Sequence, residues 1–307
     1  MDLTVRLPGP HPLLLKNPVI AASGTFGCGL EYAPFGDLST LGGISVKGIS
    51  LQPRPGNPMP RIVETTAGML NSIGLQNEGV DVFINSKLPG LPWSQTAIIA
   101  NIYGATVDEF EALGQKLNDV EGISALEVNI SCPNVAAGGA QFGSNPEMCA
   151  TVTKAVRAGA PDKHIMVKLS PNVTDITEIA KAAEDAGADS LSLINTLSGM
   201  AINIHTRKPC LANIIGGLSG PAIKPVALRC VWQTAKAVRI PVIGMGGIAS
   251  AEDIIEFLLA GATAVQVGTA SFMRPDATFR LVQDLPRALA SCGANSAAEL
   301  IGALQLD

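Results

Sequence analysis

Aromatic side chains make up only 4% of this 307-residue chain, charged ones only 15%, and histidine occurs three times. Each shortage excludes something. Apolar segments are broken by Gly, Pro or charge well before the roughly 18 residues a membrane helix needs, and no basic stretch precedes an apolar one at the N-terminus. Neither a membrane anchor nor an export signal is therefore expected. No run of Lys or Arg appears, and 21 basic against 26 acidic residues give a net charge of −5, which argues against nucleic acid or an anionic lipid surface as the main partner. The six cysteines, at 28, 132, 149, 210, 230 and 292, contain no Cys-x-x-Cys pair and none of the short repeated spacings of zinc or iron–sulfur sites. His11, His164 and His205 form no ligand or triad pattern. The expectation is a cytoplasmic protein with reduced thiols, no metal and a small-molecule ligand.

Apolar residues, by contrast, make up 47% of the chain, accompanied by 32 glycines and 21 prolines. Apolar, β-branched runs of strand length recur at Val19–Ala22, Gly43–Lys47, Ala97–Ile102, Ala125–Ile130, Ile165–Leu169, Ser190–Ile194, Pro241–Gly244 and Ala264–Val267. Stretches of helical period lie between many of them: Val107–Leu117, Pro146–Arg157, Ile176–Ala186, Pro225–Val238 and Ala251–Ala260. Strands that are apolar on both faces fit a parallel sheet covered by helices. Eight such units predict an α/β fold, a TIM (β/α)8 barrel forming a single domain over residues 1–307. A doubly wound sheet would carry Gly-x-Gly-x-x-Gly after its first strand, and Ser23-Gly24-Thr25-Phe26-Gly27-Cys28-Gly29 does not match. Two long stretches, Ile49 to Thr96 and Ser198 to Lys224, are read as βα-loop insertions over the C-terminal face, where barrels build active sites.

Polar residues collect at the predicted strand ends: Lys47, Asn101, Asn129 with Cys132, Lys168, and Asn195 with Thr196. One such residue could serve packing; recurrence on five successive units points to a site. Gly244-Met245-Gly246-Gly247-Ile248 after strand seven and Gly268-Thr269 after strand eight let backbone N–H groups approach an anion, so together they predict a phosphate site. Two lysines facing one pocket could stabilise an anion, form a Schiff base on a sugar phosphate, or place charge beside an electron-rich ring. Cys132 lies just past a buried strand, before Pro133, and with no histidine base in view it is the leading acid–base candidate.

Asn129-Ile130-Ser131-Cys132-Pro133-Asn134, together with Gly68-Met69-Leu70-Asn71-Ser72-Ile73-Gly74-Leu75-Gln76-Asn77, resembles the dihydroorotate dehydrogenases of class 1, enzymes of pyrimidine synthesis. Ser23-Gly24-Thr25, Val46-Lys47-Gly48, Ile194-Asn195-Thr196, Gly220, Gly246-Gly247 and Gly268-Thr269 match the same pattern from about the first strand to the last. The resemblance implies a TIM barrel holding FMN, lined by Ser23, Lys47, Gly48, Asn101, Asn129, Lys168, Ile194, Gly220, Gly246, Gly247, Gly268 and Thr269. Lys47, Asn71, Ser72, Ile73, Gly74, Leu75, Asn129, Asn195 and Thr196 would hold orotate. Cys132 would take a proton from C5 of dihydroorotate while hydride leaves C6 for flavin N5. Asparagine amides, both donors and acceptors, suit the alternating N–H and C=O edge of a pyrimidine.

Within that family, class 2 enzymes carry serine at this cysteine and an N-terminal membrane-associating extension, and this chain departs on both counts. Gly68-Met69-Leu70-Asn71 and Gly138-Gly139-Ala140-Gln141-Phe142-Gly143 look more like class 1B. That subclass implies a partner subunit bearing FAD and a 2Fe-2S cluster that passes electrons to NAD, in a heterotetramer of two catalytic and two electron-transfer chains. The chain's own lack of a dinucleotide fingerprint and of a cluster-like cysteine set agrees with such a partner. A fumarate-reducing class 1A enzyme, working with FMN alone, is the alternative.

Overall fold

A computed structural model describes residues 1–130 and 142–306. Eight parallel strands close into a barrel: β1 (Val19–Ala21), β2 (Gly43–Ser45), β3 (Ala97–Ile102), β4 (Ala125–Asn129), β5 (His164–Lys168), β6 (Ser190–Leu193), β7 (Val242–Met245) and β8 (Ala264–Val267). Each strand pairs with its sequence neighbours, and β8 returns to β1 through Val265↔Val19. The TIM barrel expected from the sequence is present, with strand bounds shifted by at most a few residues. Strands such as β5, His-Ile-Met-Val-Lys, are buried at every position because side chains alternate between the barrel interior and the surrounding helices.

Among the described residues, six helices of nine residues or more wrap the barrel: α1 (Val107–Asn118), α2 (Pro146–Gly159), α3 (Ile176–Asp185), α4 (Lys224–Ala237), α5 (Ala251–Leu259) and α6 (Ala277–Ser291). Their starts are written locally. Thr106, Asn145 and Asp175 accept hydrogen bonds from the first turns of α1, α2 and α3, and Ser250 with Asp253 forms a reciprocal capping box on α5. Gly187 and Gly261 leave α3 and α5 at φ +96° and +109°, a conformation that suits glycine. After β1 the chain makes only short 3-10 turns, Leu30–Phe35 and Leu38–Thr40, instead of a full helix. Among the described residues no helix is long and apolar enough to cross a membrane.

An N-terminal hairpin, Val5–Leu7 paired with Leu13–Leu15, buries Leu7 and Leu15 completely. Its turn reaches the N-terminal end of the barrel, where His164 Nδ1 lies 2.6 Å from the His11 carbonyl oxygen and His164 Nε2 lies 2.7 Å from Ser190 Oγ. Arg157 and Asp189 pair beside it. His164 thus stands at the start of β5, at the end of the barrel opposite the strand C-termini. Burial holds its imidazole below the ordinary value of 6.5, although the His11 carbonyl opposes this. A depressed folded pKa means the unfolded chain takes up a proton first, so stability is full above pH 6.5 and falls as acid drives the pH below it. His164→Gln should flatten this loss: between about pH 7.5 and about pH 5.5, denaturant midpoints of wild type should fall more than those of the variant. Parallel loss in both would take His164 out of the acid response.

The two long insertions do not run as separate loops. Ile62–Thr65, Gly68–Asn71, Ile215–Ser219 and Leu197–Met200 join as one four-stranded antiparallel sheet, ordered with the first insertion on one side and the second on the other. Close approach at the junction needs glycine. A Cβ on Gly68 would lie 2.0 Å from the Ser219 carbonyl oxygen, and one on Gly217 would lie 2.1 Å from Thr196 Oγ1. Thr269 Oγ1, just past β8, donates to Ser219 Oγ at 2.8 Å, tying the sheet to the barrel mouth.

Candidate active site

Barrel mouth and sheet enclose a cavity of about 620 Å³, within the range of roughly 300–1,000 Å³ typical of small-molecule sites. From the barrel strands come Ser23, Lys47, Gly48, Asn101, Asn129, Lys168, Ile194, Asn195 and Thr196, and from the strand-seven and strand-eight turns Gly246, Gly247, Gly268 and Thr269. The insertions add Asn71, Ser72, Ile73, Gly74, Leu75 and Gly220. Every candidate named from the sequence that falls within the described residues lines this one cavity. His205 is exposed and lies away from it.

Cys132 lies outside the described residues. The chain on both sides of it is described, and Ile130, Gly143 and Ser144 all line the cavity. The other five cysteines are free thiols. Burial, helped by the Glu31 carboxylate, pushes the Cys28 thiol up to about 11, and burial alone pushes Cys149 up to about 12. Held in the neutral form, these two are poor bases and poor nucleophiles, which agrees with reading them as packing residues.

The loop carrying the pyrimidine-like motif is held from behind. Asn57 donates through Nδ2 to the Ser72 carbonyl at 2.9 Å and through its backbone N–H to Ile73 O at 2.9 Å. Asn77 Nδ2 donates to Leu75 O and to Ser50 Oγ, each at 2.8 Å. Gly74 turns at φ +75°, with a space too small for any Cβ because Asn57 would lie 2.6 Å away. On the opposite wall, Asn172 Nδ2 donates to the Thr196 carbonyl at 3.0 Å, while Asn195 Oδ1 accepts from the Thr196 N–H at 2.9 Å. Both walls therefore present fixed amide and hydroxyl groups, as a planar polar ligand requires.

At the phosphate corner the α5 N-terminus is already occupied: Asp253 Oδ2 accepts from the backbone N–H groups of Ala249 and Ser250, both at 2.8 Å. The N–H groups of Gly246, Gly247 and Ile248 donate to no protein acceptor among the described residues. An anion would be met by this glycine turn and by Gly268-Thr269, with the helix end already satisfied by its own carboxylate. Gly247, at φ +77° and with a Cβ position 2.7 Å from the Lys224 Cβ, admits no side chain.

Sequence reading passed over the floor of the site. The completely buried Glu127, centred in β4, accepts from Ser45 Oγ (2.8 Å), Asn101 Nδ2 (2.6 Å), Ser192 Oγ (2.7 Å) and Gln266 Nε2 (2.6 Å). Lys168 Nζ stands 3.9 Å from its Oε2. Burial pushes the Glu127 carboxyl up, but the Lys168 ammonium and the donors from Gln266, Ser192 and Asn101 outweigh it and hold the group below the usual carboxylate range. A charge flanked by Leu126 and Val128 in the middle of a buried strand was the signal available for it.

A cofactor of nucleotide size fits these residues. Besides the glycine turn, three buried polar atoms on cavity-lining residues have no partner among the described residues: Ser72 Oγ, Asn101 Oδ1 and Gln266 Oε1. Such groups cost about 1–3 kcal/mol each if left unpaired, and a polar ligand can relieve that cost.

Fold and site together define a TIM barrel with a nucleotide-sized polar site at its C-terminal face. Residues 3–289 match the protein family described as Dihydroorotate dehydrogenase. The chain is 60% identical over 306 residues to the "Dihydroorotate dehydrogenase B (NAD(+)), catalytic subunit" of Solidesulfovibrio magneticus, covering 100% of this chain and 99% of that one. It is 59% identical to the protein of the same name from Maridesulfovibrio salexigens, with the same coverage. Among solved structures, DHODH from Eimeria tenella in complex with ferulenol superimposes with a TM-score of 0.80 at 22% identity, covering 98% of this chain and 88% of that one. This last likeness bears on the fold. The chain belongs to the dihydroorotate dehydrogenase family, which implies FMN binding in the catalytic chain.

Proposed function

We propose that this chain oxidises dihydroorotate to orotate as the catalytic subunit of an NAD-linked dihydroorotate dehydrogenase. The observation that carries the reading is the convergence of Lys47, Asn71, Asn129, Lys168, Asn195 and the Gly246-Gly247 turn on one cavity, in a chain of this family. FMN, when bound, supplies the acceptor for the hydride. Gly246, Gly247, Gly268 and Thr269 would hold its phosphate, with Ser23, Gly48, Asn101, Lys168, Ile194 and Gly220 along the rest of it. Asn71, Ser72, Ile73, Gly74, Leu75, Asn129, Asn195 and Thr196 would hold the pyrimidine, and Lys47 would offset negative charge on substrate and cofactor. Cys132 would receive the proton from substrate C5.

The chain's relatives are named NAD(+) catalytic subunits, which favours an electron-transfer partner with FAD and a 2Fe-2S cluster over direct reduction of fumarate. A heterotetramer of two catalytic and two electron-transfer chains, working in the cytoplasm, completes the reading. Lys168 as a Schiff-base former is disfavoured by its place 3.9 Å from the buried Glu127 carboxylate, with which it forms an ion pair.

Asn71 tests the substrate wall. Its Nδ2 makes only a long contact, 3.4 Å, with the Gly217 carbonyl, so the amide has capacity left for a ligand. Asn71→Ala should weaken orotate binding, titrated through the flavin spectrum, on the order of tenfold or more while FMN content stays unchanged. Loss of FMN instead would reassign this loop to the cofactor.

A further inference from the structure

Glu127 takes no part in the steps above, yet it organises the floor on which they would occur. Barrel interiors are ordinarily filled by branched apolar side chains. Here, β2, β3, β6 and β8 each send a donor to one carboxylate that is 0% exposed. Burying an ion pair seldom repays its desolvation in stability, and apolar residues of similar volume commonly do as well or better. A purely structural role therefore accounts poorly for it. Three of the groups it fixes, Lys168, Asn101 and Gln266, line the cavity, whereas Glu127 itself does not. Because Asn101 Nδ2 and Gln266 Nε2 both donate to it, their carbonyl oxygens are turned away from it and have no partner among the described residues. The Lys168 contact, at 3.9 Å, is longer than a hydrogen bond, so the carboxylate holds its ammonium through charge rather than through a hydrogen bond.

We propose that Glu127 is a positioning residue of the redox site: it anchors the Lys168 ammonium and the Asn101 and Gln266 amides at the cavity floor, and its charge offsets that of Lys168 beside the flavin. This inference rests on the FMN reading. Its consequence is electrostatic. With both partners present the flavin meets a nearly balanced pair; with Glu127 neutral it meets an uncompensated cation, which favours negative charge on the ring.

The test is sulfite binding to the FMN-loaded full chain. Sulfite adds through sulfur to the oxidised flavin and leaves an anionic adduct, which bleaches the visible band without turnover. Glu127→Gln removes one negative charge at nearly constant volume and should tighten the sulfite Kd on the order of tenfold. A merely structural carboxylate predicts an unchanged or weaker Kd, and that result overturns the proposal. Lys168→Met reads the same pair from the other side should Glu127→Gln fail to fold: its sulfite Kd should weaken on the order of tenfold, and an unchanged value overturns the proposal. A wild-type chain that takes up no FMN overturns the flavin reading and this inference together. A wild-type chain that binds FMN and sulfite while Glu127→Gln binds sulfite no more tightly overturns this inference alone.

Discussion

Replacing Cys132 with serine is expected to slow the anaerobic reduction of bound flavin by dihydroorotate about 10²–10⁴-fold at neutral pH. The expectation rests on proton affinity. A thiol can reach its thiolate near operating pH when cations stand nearby, and Lys47 and Lys168 both line the cavity whose wall continues through Ile130 and Gly143 on either side of the Cys132 segment. A serine hydroxyl ionises far less readily, so the variant should lose most of its rate at neutral pH and recover part of it at high pH. Stopped-flow traces of the flavin band across pH separate this from a binding defect, since substrate saturation would then restore the rate. Reduction at the wild-type rate at neutral pH would remove Cys132 from the mechanism.

A second large effect is expected in stability. Glu127→Leu should cost about 3–5 kcal/mol, read from denaturant unfolding. Leucine leaves the Lys168 ammonium buried without its carboxylate and strips Ser45, Asn101, Ser192 and Gln266 of a shared acceptor. Hydroxyls can rotate to other acceptors, but the two amides are fixed in a packed barrel, and the buried ammonium loses the charge that balances it. Ser45→Ala, which deletes one neutral donor and keeps the charges, should cost only about 1 kcal/mol. Equal stability of wild type and Glu127→Leu would contradict the account of the hub. The two Glu127 substitutions ask different questions: leucine tests what the carboxylate holds together, and glutamine what its charge does to a bound flavin.

Much of this architecture was legible before any coordinates. Parallel strands buried on both faces announce themselves as unbroken apolar runs, so β3, β4 and β8 were found almost to the residue. Helices α1 to α5 were legible from a 3.6-residue period, which capping residues reinforce at α1, α2, α3 and α5. Helix α6, which carries Pro286 in its interior, escaped, and so did short strands whose pairing or packing partners are distant in sequence. Gly68–Asn71 meets Ile215–Ser219 across nearly half the chain, and its shortness and glycine content read as loop because no local rule favours a strand there. The N-terminal hairpin failed to register for a similar reason: its three-residue strands gain their stability from the barrel bottom they cover. In the site, polar residues at strand ends were readable from position alone. Glu127, Ser45, Ser192 and Gln266 were not, because only barrel closure brings four separate strands onto one carboxylate.

Dehydrogenation of dihydroorotate on FMN in this cavity is tested most directly by the visible spectrum of the purified chain under anaerobic conditions before and after dihydroorotate is added. A flavin spectrum that bleaches on addition is expected. A flavin that stays oxidised would contradict the substrate assignment, and a protein that remains colourless after FMN is supplied would contradict the cofactor assignment as well.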